Sequence, residues 1–174
     1  NLRLVAEDFS LDMPEYRTHV EHLDGRGTFS LPHMFSGNFD GMLFGQPASF
    51  VALPETDWLR FNIHGIANEQ GIYSLIEYPD LGLMHGSFRF DGMLSLAMAD
   101  EHITHLEVAT DLAGLTVTLP GFLAKSAEQS APTEIGVQFL PDYQSIRWLY
   151  RDTNGWIHAD DEVLRGAIGV RSMP

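Results

Sequence analysis

Hydrophobic and polar residues alternate along most of this chain. The clearest run places five large apolar residues on one parity: Phe88, Phe90, Leu94, Leu96 and Met98. The same alternation recurs over residues 115–119, 135–139 and 146–151. Because successive side chains of a β-strand point to opposite faces of a sheet, the pattern predicts strands that each bury one face. Turn sequences between the runs predict about ten to twelve such strands.

Short glycine-containing sequences predict where the chain reverses. Asn-Gly between two strands favours a hairpin, because both central positions of a type I′ turn need positive φ. We therefore predict a hairpin between 145–151 and 156–159 that turns through Asp152-Thr153-Asn154-Gly155. Further turns are predicted at three other sites: Asp24-Gly25, Ser36-Gly37-Asn38 and Asp91-Gly92.

Helical signals are few. Asn68 is placed to cap a short helix over 69–78, which Pro79 would end. One more helical turn is predicted within 120–126. The predicted fold class is therefore mainly β: antiparallel, curved sheet layers with one or two short helices, arranged either as an open groove or as a sandwich.

The chain length of 174 residues suits one domain, and we treat 1–174 as a single β-rich segment. A five-residue string, Phe39-Asp40-Gly41-Met42-Leu43, recurs over 90–94. That echo favours an alternative division into two stacked sub-repeats, about 1–89 and 90–174. Both ends of the chain have the alternation of strands, so we expect the segment to belong to a longer protein.

Acidic residues outnumber basic ones 24 to 10, which gives a net charge of -14. Lys125 is the one lysine, and the other basic residues are arginines. This excess of negative charge argues against a nucleic-acid partner, because phosphate backbones are held by basic surfaces. The absence of cysteine excludes disulfides and thiolate chemistry. No run of residues approaches the roughly 18–20 apolar positions of a membrane span.

Metal-binding patterns are weak. Two histidine pairs, His19 with His22 and His102 with His105, have a spacing that would place both rings on one face of a helix. Both pairs fall in predicted strands or loops, where an odd spacing separates the rings. The acidic turn at 152–155 resembles a calcium loop but lacks its ligand positions. We therefore predict no metal and no cofactor.

Catalytic motifs are also missing. His158 lies close to Asp160 and Asp161, which would make part of a hydrolase triad. No nucleophile motif accompanies them, since the chain lacks G-x-S-x-G, S-x-x-K and H-E-x-x-H. The prediction is a non-catalytic protein, with a hydrolase that uses His158 as an alternative.

The apolar faces of the predicted strands suit two arrangements. Facing sheets of a sandwich would bury them as a core, whereas an open, curved sheet would leave a trough for a lipid chain. The candidate residues are the five named above in 88–98 and three from the next run: Leu115, Val117 and Leu119.

The segment 111–127 carries a family resemblance. It reads D-L-A-G-L-T-V-T-L-P-G-F-L-A-K-S-A and resembles the D-L-x-G-L-x-[IVL]-x-L-P-x-P-L-x-K-x-A segment of YhdP-type proteins. These belong, with TamB, to the AsmA-like family of bacterial envelope proteins. Leu43-Phe44-Gly45-Gln46-Pro47 is similar to the family's L-F-G-x-P strand element, and Gly65 and His85-Gly86-Ser87-Phe88 follow in the family's order. The chain departs from the pattern at Phe122, where the family has its second proline.

This resemblance implies a location and a function. The parent protein would be anchored in the inner membrane and lie in the periplasm, where β-layers form an elongated sheet with an apolar inner face. Such proteins look like bridges that carry phospholipid from the inner to the outer membrane. The partners of this segment would be phospholipid acyl chains and adjacent repeats of the same chain, with membrane contact through other parts of the parent protein.

Two further function classes stay open from the residues alone. A β-sandwich carbohydrate-binding or adhesion module would use aromatic stacking platforms, here Trp58, Trp148, Tyr150 and Trp156. A scaffold segment would space or dock partners without binding any ligand.

Overall fold

The fold is an open antiparallel β-sheet. The computed structural model describes residues 1–13, 18–30, 34–55, 58–76, 82–98, 103–140, 143–159 and 164–170. Within these ranges twelve strands form one sheet, and all but one follow one another across it in sequence order. This confirms the mainly β fold class and decides between its two forms. Over the described residues the sheet is open and is not one half of a sandwich.

Eleven strands form the main path of the sheet, each hydrogen-bonded to the next. In order they are β1 (Leu2–Met13), β2 (Thr18–Ser30), β3 (Met34–Leu43), β4 (Gln46–Pro54), β5 (Trp58–Asn68), β6 (Met84–Ala97), β7 (Thr104–Thr110), β9 (Thr133–Phe139), β10 (Gln144–Tyr150), β11 (Thr153–Ala159) and β12 (Leu164–Val170). The short strand β8 (Leu115–Val117) pairs instead with the first residues of β6. β1 and β12 are therefore the two edge strands of the main path.

Two short helical elements occur at the predicted places. Helix α1 (Glu69–Ile76) follows β5 directly, and Asn68 Oδ1 accepts a hydrogen bond from the Gly71 N–H at 2.9 Å. That bond satisfies one of the N–H groups that a helix start leaves unpaired, which confirms the predicted cap. A 3-10 helix spans Gly121–Leu123. Pro79, the predicted end of the first helix, lies outside the described residues.

The predicted hairpin is present as β10 and β11, but it turns earlier than expected. Tyr150 pairs with Thr153, so the two residues between them form the whole loop. Asn154 and Gly155 lie inside β11 and not in the turn. Gly155 is glycine for another reason, because a Cβ there would lie 2.2 Å from Trp148 Cζ2.

The other predicted turns are wrong, since all three lie inside strands: Asp24-Gly25 in β2, Ser36-Gly37-Asn38 in β3 and Asp91-Gly92 in β6. A Cβ on Gly25 would lie 2.5 Å from the Phe39 ring, and one on Gly37 would lie 2.7 Å from it. Glycine at these positions leaves room for an aromatic ring that lies across the sheet. The reversal between β3 and β4 is made instead by Phe44 and Gly45, both at positive φ.

The two copies of the repeated string occupy corresponding positions on β3 and β6. Phe39 and Phe90 point to one face of the sheet, and Asp40 and Asp91 point to the other. Three antiparallel pairings separate the two strands, so the copies run in opposite directions. The division into stacked sub-repeats stays a prediction.

Candidate functional site

The pairing register gives the sheet one continuously apolar face. A row of directly paired residues crosses all eleven strands of the main path, and every member is apolar or glycine: Ala6, Gly25, Phe39, Phe50, Ile63, Gly92, Val108, Ile135, Trp148, Gly155 and Ile168. The next row on this face has the same character: Leu4, Gly27, Gly37, Ala52, Phe61, Leu94, Leu106, Val137, Ile146, Ile157 and Gly166. We call this surface the apolar face and the opposite one the polar face.

The apolar face of β1–β6 packs against itself. Its core is a cluster of six buried residues from β2 to β5: Val20, Phe39, Leu43, Ala48, Phe50 and Ile63. Half-buried side chains from β1 and β6, such as Ala6 and Phe90, pack against this cluster. These side chains are buried by one another and by the half-buried residues around them, so this part of the apolar face is occupied by its own residues.

A second buried cluster covers the start of β6. It contains Ala67, Phe88, Leu112, Leu115 and Val117, and Leu115 is only 1% exposed. The chain reaches this position by leaving β7 through a corner in which Leu112 and Gly114 both adopt positive φ. The cluster therefore seals one part of the apolar face as core.

The eight predicted apolar-face residues separate into three environments. Phe88, Leu115 and Val117 are buried in the second cluster and belong to the core. Four others are half-buried at its margin or along β6: Phe90, Leu94, Leu96 and Leu119. Met98 lies just beyond β6 and is 53% exposed. The face is one apolar surface, but it does not present these eight side chains together to a ligand.

The accessible part of the apolar face lies towards the sheet edges. On β12, Ile168 is 65% exposed and Val170 is 55% exposed. Inward from this edge, Ile157, Trp148 and Ile135 are half-buried. Leu2, Leu4, Phe9 and Leu11 are exposed at the β1 edge. Within the described residues, the elements off the main path are α1, β8 and the 3-10 helix, and they are grouped near the start of β6 and the end of β10.

The polar face carries histidine–carboxylate pairs. One register row on it reads Asp40, Ser49, His64 and Asp91 across β3 to β6. The His64 Nδ1 lies 2.6 Å from the Asp91 Oδ1, and both side chains are more than half exposed. The row has the residue types of a hydrolase triad. The row lies on an exposed part of the polar face, and none of its four residues lines either of the two cavities described for the chain.

His19 and His22, the first histidine pair considered for a metal, each contact a different carboxylate. His22 Nδ1 lies 2.6 Å from Asp8 Oδ1, and the hydrogen bond to Asp8 raises the pKa of His22 above its ordinary value. His19 Nε2 lies 3.3 Å from Glu21 Oε1. His22 and Asp8 both have positive φ, at a bulge between β1 and β2.

Metal ligands do not converge in the part of the chain that the structure describes. Over those ranges there is no group of three or more histidine and acidic side chains placed to hold an ion. His105 packs edge-on against Trp58, with ring centroids 5.3 Å apart. His102 lies outside the described residues, as do the carboxylates proposed for a triad, Asp160 and Asp161.

The aromatic residues proposed as a stacking platform lie on two faces. Trp148 and Tyr150 belong to the apolar face, and the Tyr150 hydroxyl donates to the Leu123 carbonyl at 3.0 Å. Trp58 and Trp156 belong to the polar face. The four therefore do not form one platform.

Lys125 is a buried charged group whose structural role the hydrophobic pattern of the sequence did not indicate. Its side chain is buried, with Nζ donating to the carbonyl oxygens of Leu112, at 2.7 Å, and Leu115. Burial lowers the pKa of the Lys125 ammonium. The lysine thus ties the corner around 112–125 together. The sequence signal that sets it apart is that it is the one lysine of the chain.

No protein-family model matches this chain, and neither curated proteins nor solved structures gave a match. The resemblance of 111–127 to AsmA-like proteins therefore stays a prediction. Among the described residues, none of the helices is long and apolar enough to cross a membrane.

Proposed function

We propose that the apolar face lines part of a groove for phospholipid acyl chains, as a non-catalytic segment of a longer periplasmic bridge to the outer membrane. The observation that carries the proposal is the pair of unbroken apolar rows across eleven strands. An apolar face that serves only as a folding core must be covered by another layer of secondary structure. Here the face continues to an edge strand on which Ile168 and Val170 are exposed.

The acyl-contact region in this proposal is the apolar face of β9–β12. The part formed by β2–β5 is filled by its own side chains, and this core separates the region from the exposed apolar residues of β1. Acyl chains gain about 0.8 kcal/mol for each buried CH₂ group, without directional chemistry. Four strands at a spacing of about 4.8 Å span roughly 14 Å, so this region contacts only part of an acyl chain. We therefore expect weak and transient binding.

A phospholipid with a photoreactive acyl chain captures such transient binding. We expect crosslinks to concentrate on the apolar face of β10–β12, near Ile157 and Ile168. The double variant Ile168→Asp, Val170→Asp places two charges on this face and should reduce crosslinking several-fold. Leu149→Asp is the matched control, because Leu149 is 41% exposed but belongs to the polar face. Far-UV circular dichroism confirms that each variant is folded.

Two results would contradict the groove. One is equal crosslinking of both faces by the photoreactive lipid. The other is equal crosslinking of the double variant and the Leu149 control. Either result would leave the apolar rows as a folding core without a lipid role.

A carbohydrate-binding role is the second candidate, and one observation favours it. Trp156 and Tyr143 are exposed and both contact His158, with ring centroids 4.7 and 5.2 Å from the histidine ring. Aromatic rings in this setting suit stacking against a sugar. Glycan-array binding that Trp156→Ala abolishes and Leu149→Ala preserves would support this role. An array without any binding would remove it.

A further inference from the structure

A cavity of about 570 Å³ lies across β1–β4. The backbone of one register row forms its floor: Leu4, Gly27, Gly37 and Ala52. The rows on either side of this floor form its walls. Arg3 stands in one wall and Arg26 in the other, so we call the cavity the arginine trough.

The arginine trough opens on the polar face. On the apolar side the floor is covered, because a Cβ on Gly27 would lie 2.7 Å from the Phe35 ring. The Phe39 ring covers Gly37 in the same way. Neither phenylalanine lines the cavity, whereas the polar-face residues of both flanking rows do. The trough is therefore separate from the proposed acyl groove, and the inference below does not rest on that groove.

The two arginines stand close together, and no carboxylate of the described residues forms an ion pair with either of them. Arg3 pairs with Thr28 and Val5 pairs with Arg26, so the arginines are diagonal neighbours on adjacent strands, about 7–8 Å apart at the backbone. Two like charges this close repel each other. An anion held between them would relieve that repulsion.

Three acids lie near Arg26 in the sheet, and none of them is at ion-pair distance from it: Glu7, Asp24 and Asp40. Glu7 lies two residues beyond Val5, the partner of Arg26 on β1, and does not line the cavity. Asp24 lies two residues from Arg26, and its Oδ1 accepts a hydrogen bond from the Asp8 N–H at 3.0 Å. Asp40 pairs with Asp24 across β2 and β3 and does not line the cavity. The chain has 24 acidic and only 10 basic residues, so most arginines could find a carboxylate partner. These two share one cavity and have no ion-pair partner among the described side chains. The arrangement therefore indicates a place for an external anion.

We propose that the arginine trough binds a phosphate monoester carried by a small hydroxylated molecule, such as a sugar phosphate. Arginine suits phosphate because its planar fork donates two parallel hydrogen bonds. Thr28, Ser36 and Asn38 line the same cavity and supply hydrogen-bonding groups for hydroxyls. The volume lies within the range of about 300–1,000 Å³ of small-molecule sites and is much larger than a phosphate ion needs.

Calorimetric titration with glucose 6-phosphate tests the proposal, at about pH 8 where the ester is a dianion. Salt of about 0.15 M screens non-specific attraction. We expect saturable binding to the wild-type chain that weakens about ten-fold in Arg3→Gln and in Arg26→Gln. Arg165→Gln is the matched control, because Arg165 is a polar-face arginine on β12, at the opposite edge of the sheet. Glucose without phosphate should not bind.

A measurement on the wild-type chain makes the test independent of the folding of the variants. In nuclear magnetic resonance spectra, the amide signals of Gly27 and Gly37 on the trough floor should shift during the titration. The Gly136 signal, on β9, should not shift.

Binding to vesicles of phosphatidylcholine, with and without phosphatidic acid, shows whether the phosphate monoester belongs to a soluble molecule or to a lipid headgroup. Arginine-dependent binding of glucose 6-phosphate supports a soluble ligand. Arginine-dependent binding only to vesicles with phosphatidic acid supports the same phosphate chemistry on a lipid headgroup. Absence of saturable binding to both probes, or an equal loss in Arg165→Gln, would overturn the proposal.

Discussion

Replacing Gly155 by alanine tests whether the apolar face has glycines where an aromatic ring packs so closely that it leaves no room for a Cβ atom. A Cβ at this position would lie 2.2 Å from Trp148 Cζ2 and 2.6 Å from Cε2, distances that real Cβ atoms do not show. In the variant the Trp148 ring must therefore move away from residue 155. Overpacking of this kind costs about 1–3 kcal/mol, so we expect Gly155→Ala to lower the free energy of unfolding by about that amount.

Gly136 provides the matched control on the neighbouring sheet region. It lies in β9, and nothing described lies within 4 Å of the position that a Cβ would occupy there, so an added methyl group meets open space. Gly136→Ala should therefore be neutral or stabilise the chain by about 0.4–1 kcal/mol, since it restricts the unfolded state. Urea unfolding followed by circular dichroism measures both variants. With a slope of about 2 kcal/mol per molar urea, a loss of about 2 kcal/mol moves the midpoint by about 1 M.

A double-mutant cycle with Trp148→Leu isolates the contact itself. If the ring causes the loss, Gly155→Ala should cost much less in the Trp148→Leu background, with a coupling of about 0.5–3 kcal/mol. Equal shifts for Gly155→Ala and Gly136→Ala, or a cycle without coupling, would refute the idea that the ring selects the glycine.

Three further predictions concern single side chains. Lys125→Met should cost about 2 kcal/mol near neutral pH, because it removes the donor to the Leu112 and Leu115 carbonyls. Burial lowers the pKa of Lys125 below its ordinary 10.5, so the unfolded state binds more protons and wild-type stability rises with pH towards 10.5. Urea unfolding at several pH values should show that rise in the wild-type chain and not in Lys125→Met. The raised pKa of His22, caused first by its hydrogen bond to Asp8, should fall towards 6.5 in Asp8→Asn but not in Asp12→Asn, as measured by nuclear magnetic resonance. The stability from the Asp8 pairing is present below about pH 6.5 and is lost as the pH rises through the raised pKa. Asn68→Ala should lower the free energy of unfolding by about 1 kcal/mol, because it removes the helix cap, whereas Asn68→Asp should retain most of the stability that the cap provides. Urea unfolding measures both variants.

The strand pattern could be predicted from the sequence because burial on one face imposes a period of two. Phe88, Phe90 and Leu94 have the same parity in the sequence and lie on the same face in the sheet. The Asn68 cap was equally predictable, because the signal is local. Prediction succeeded where neighbours in the sequence determine the structure.

The glycines could not be assigned in this way. Gly25 and Gly37 have the sequence context of turns but lie under the Phe39 ring, and Gly155 lies under Trp148. Which aromatic residue lies beside a glycine depends on the pairing register, and no local pattern contains that information. The arginine trough escaped prediction for the same reason, because Arg3 and Arg26 meet only through the pairing of β1 with β2.

The two faces of the sheet carry proposals that experiments can separate. Charges introduced at Ile168 and Val170 act on the apolar face, and loss of Arg26 acts on the polar face at the other end of the sheet. If lipid crosslinking falls with the first change and sugar-phosphate binding falls with the second, the chain carries two independent sites. If only the arginine variants have an effect, the apolar rows are a core that holds the polar face in place. The exposed residues of β12 would then form an unpaired sheet edge and not the wall of a groove.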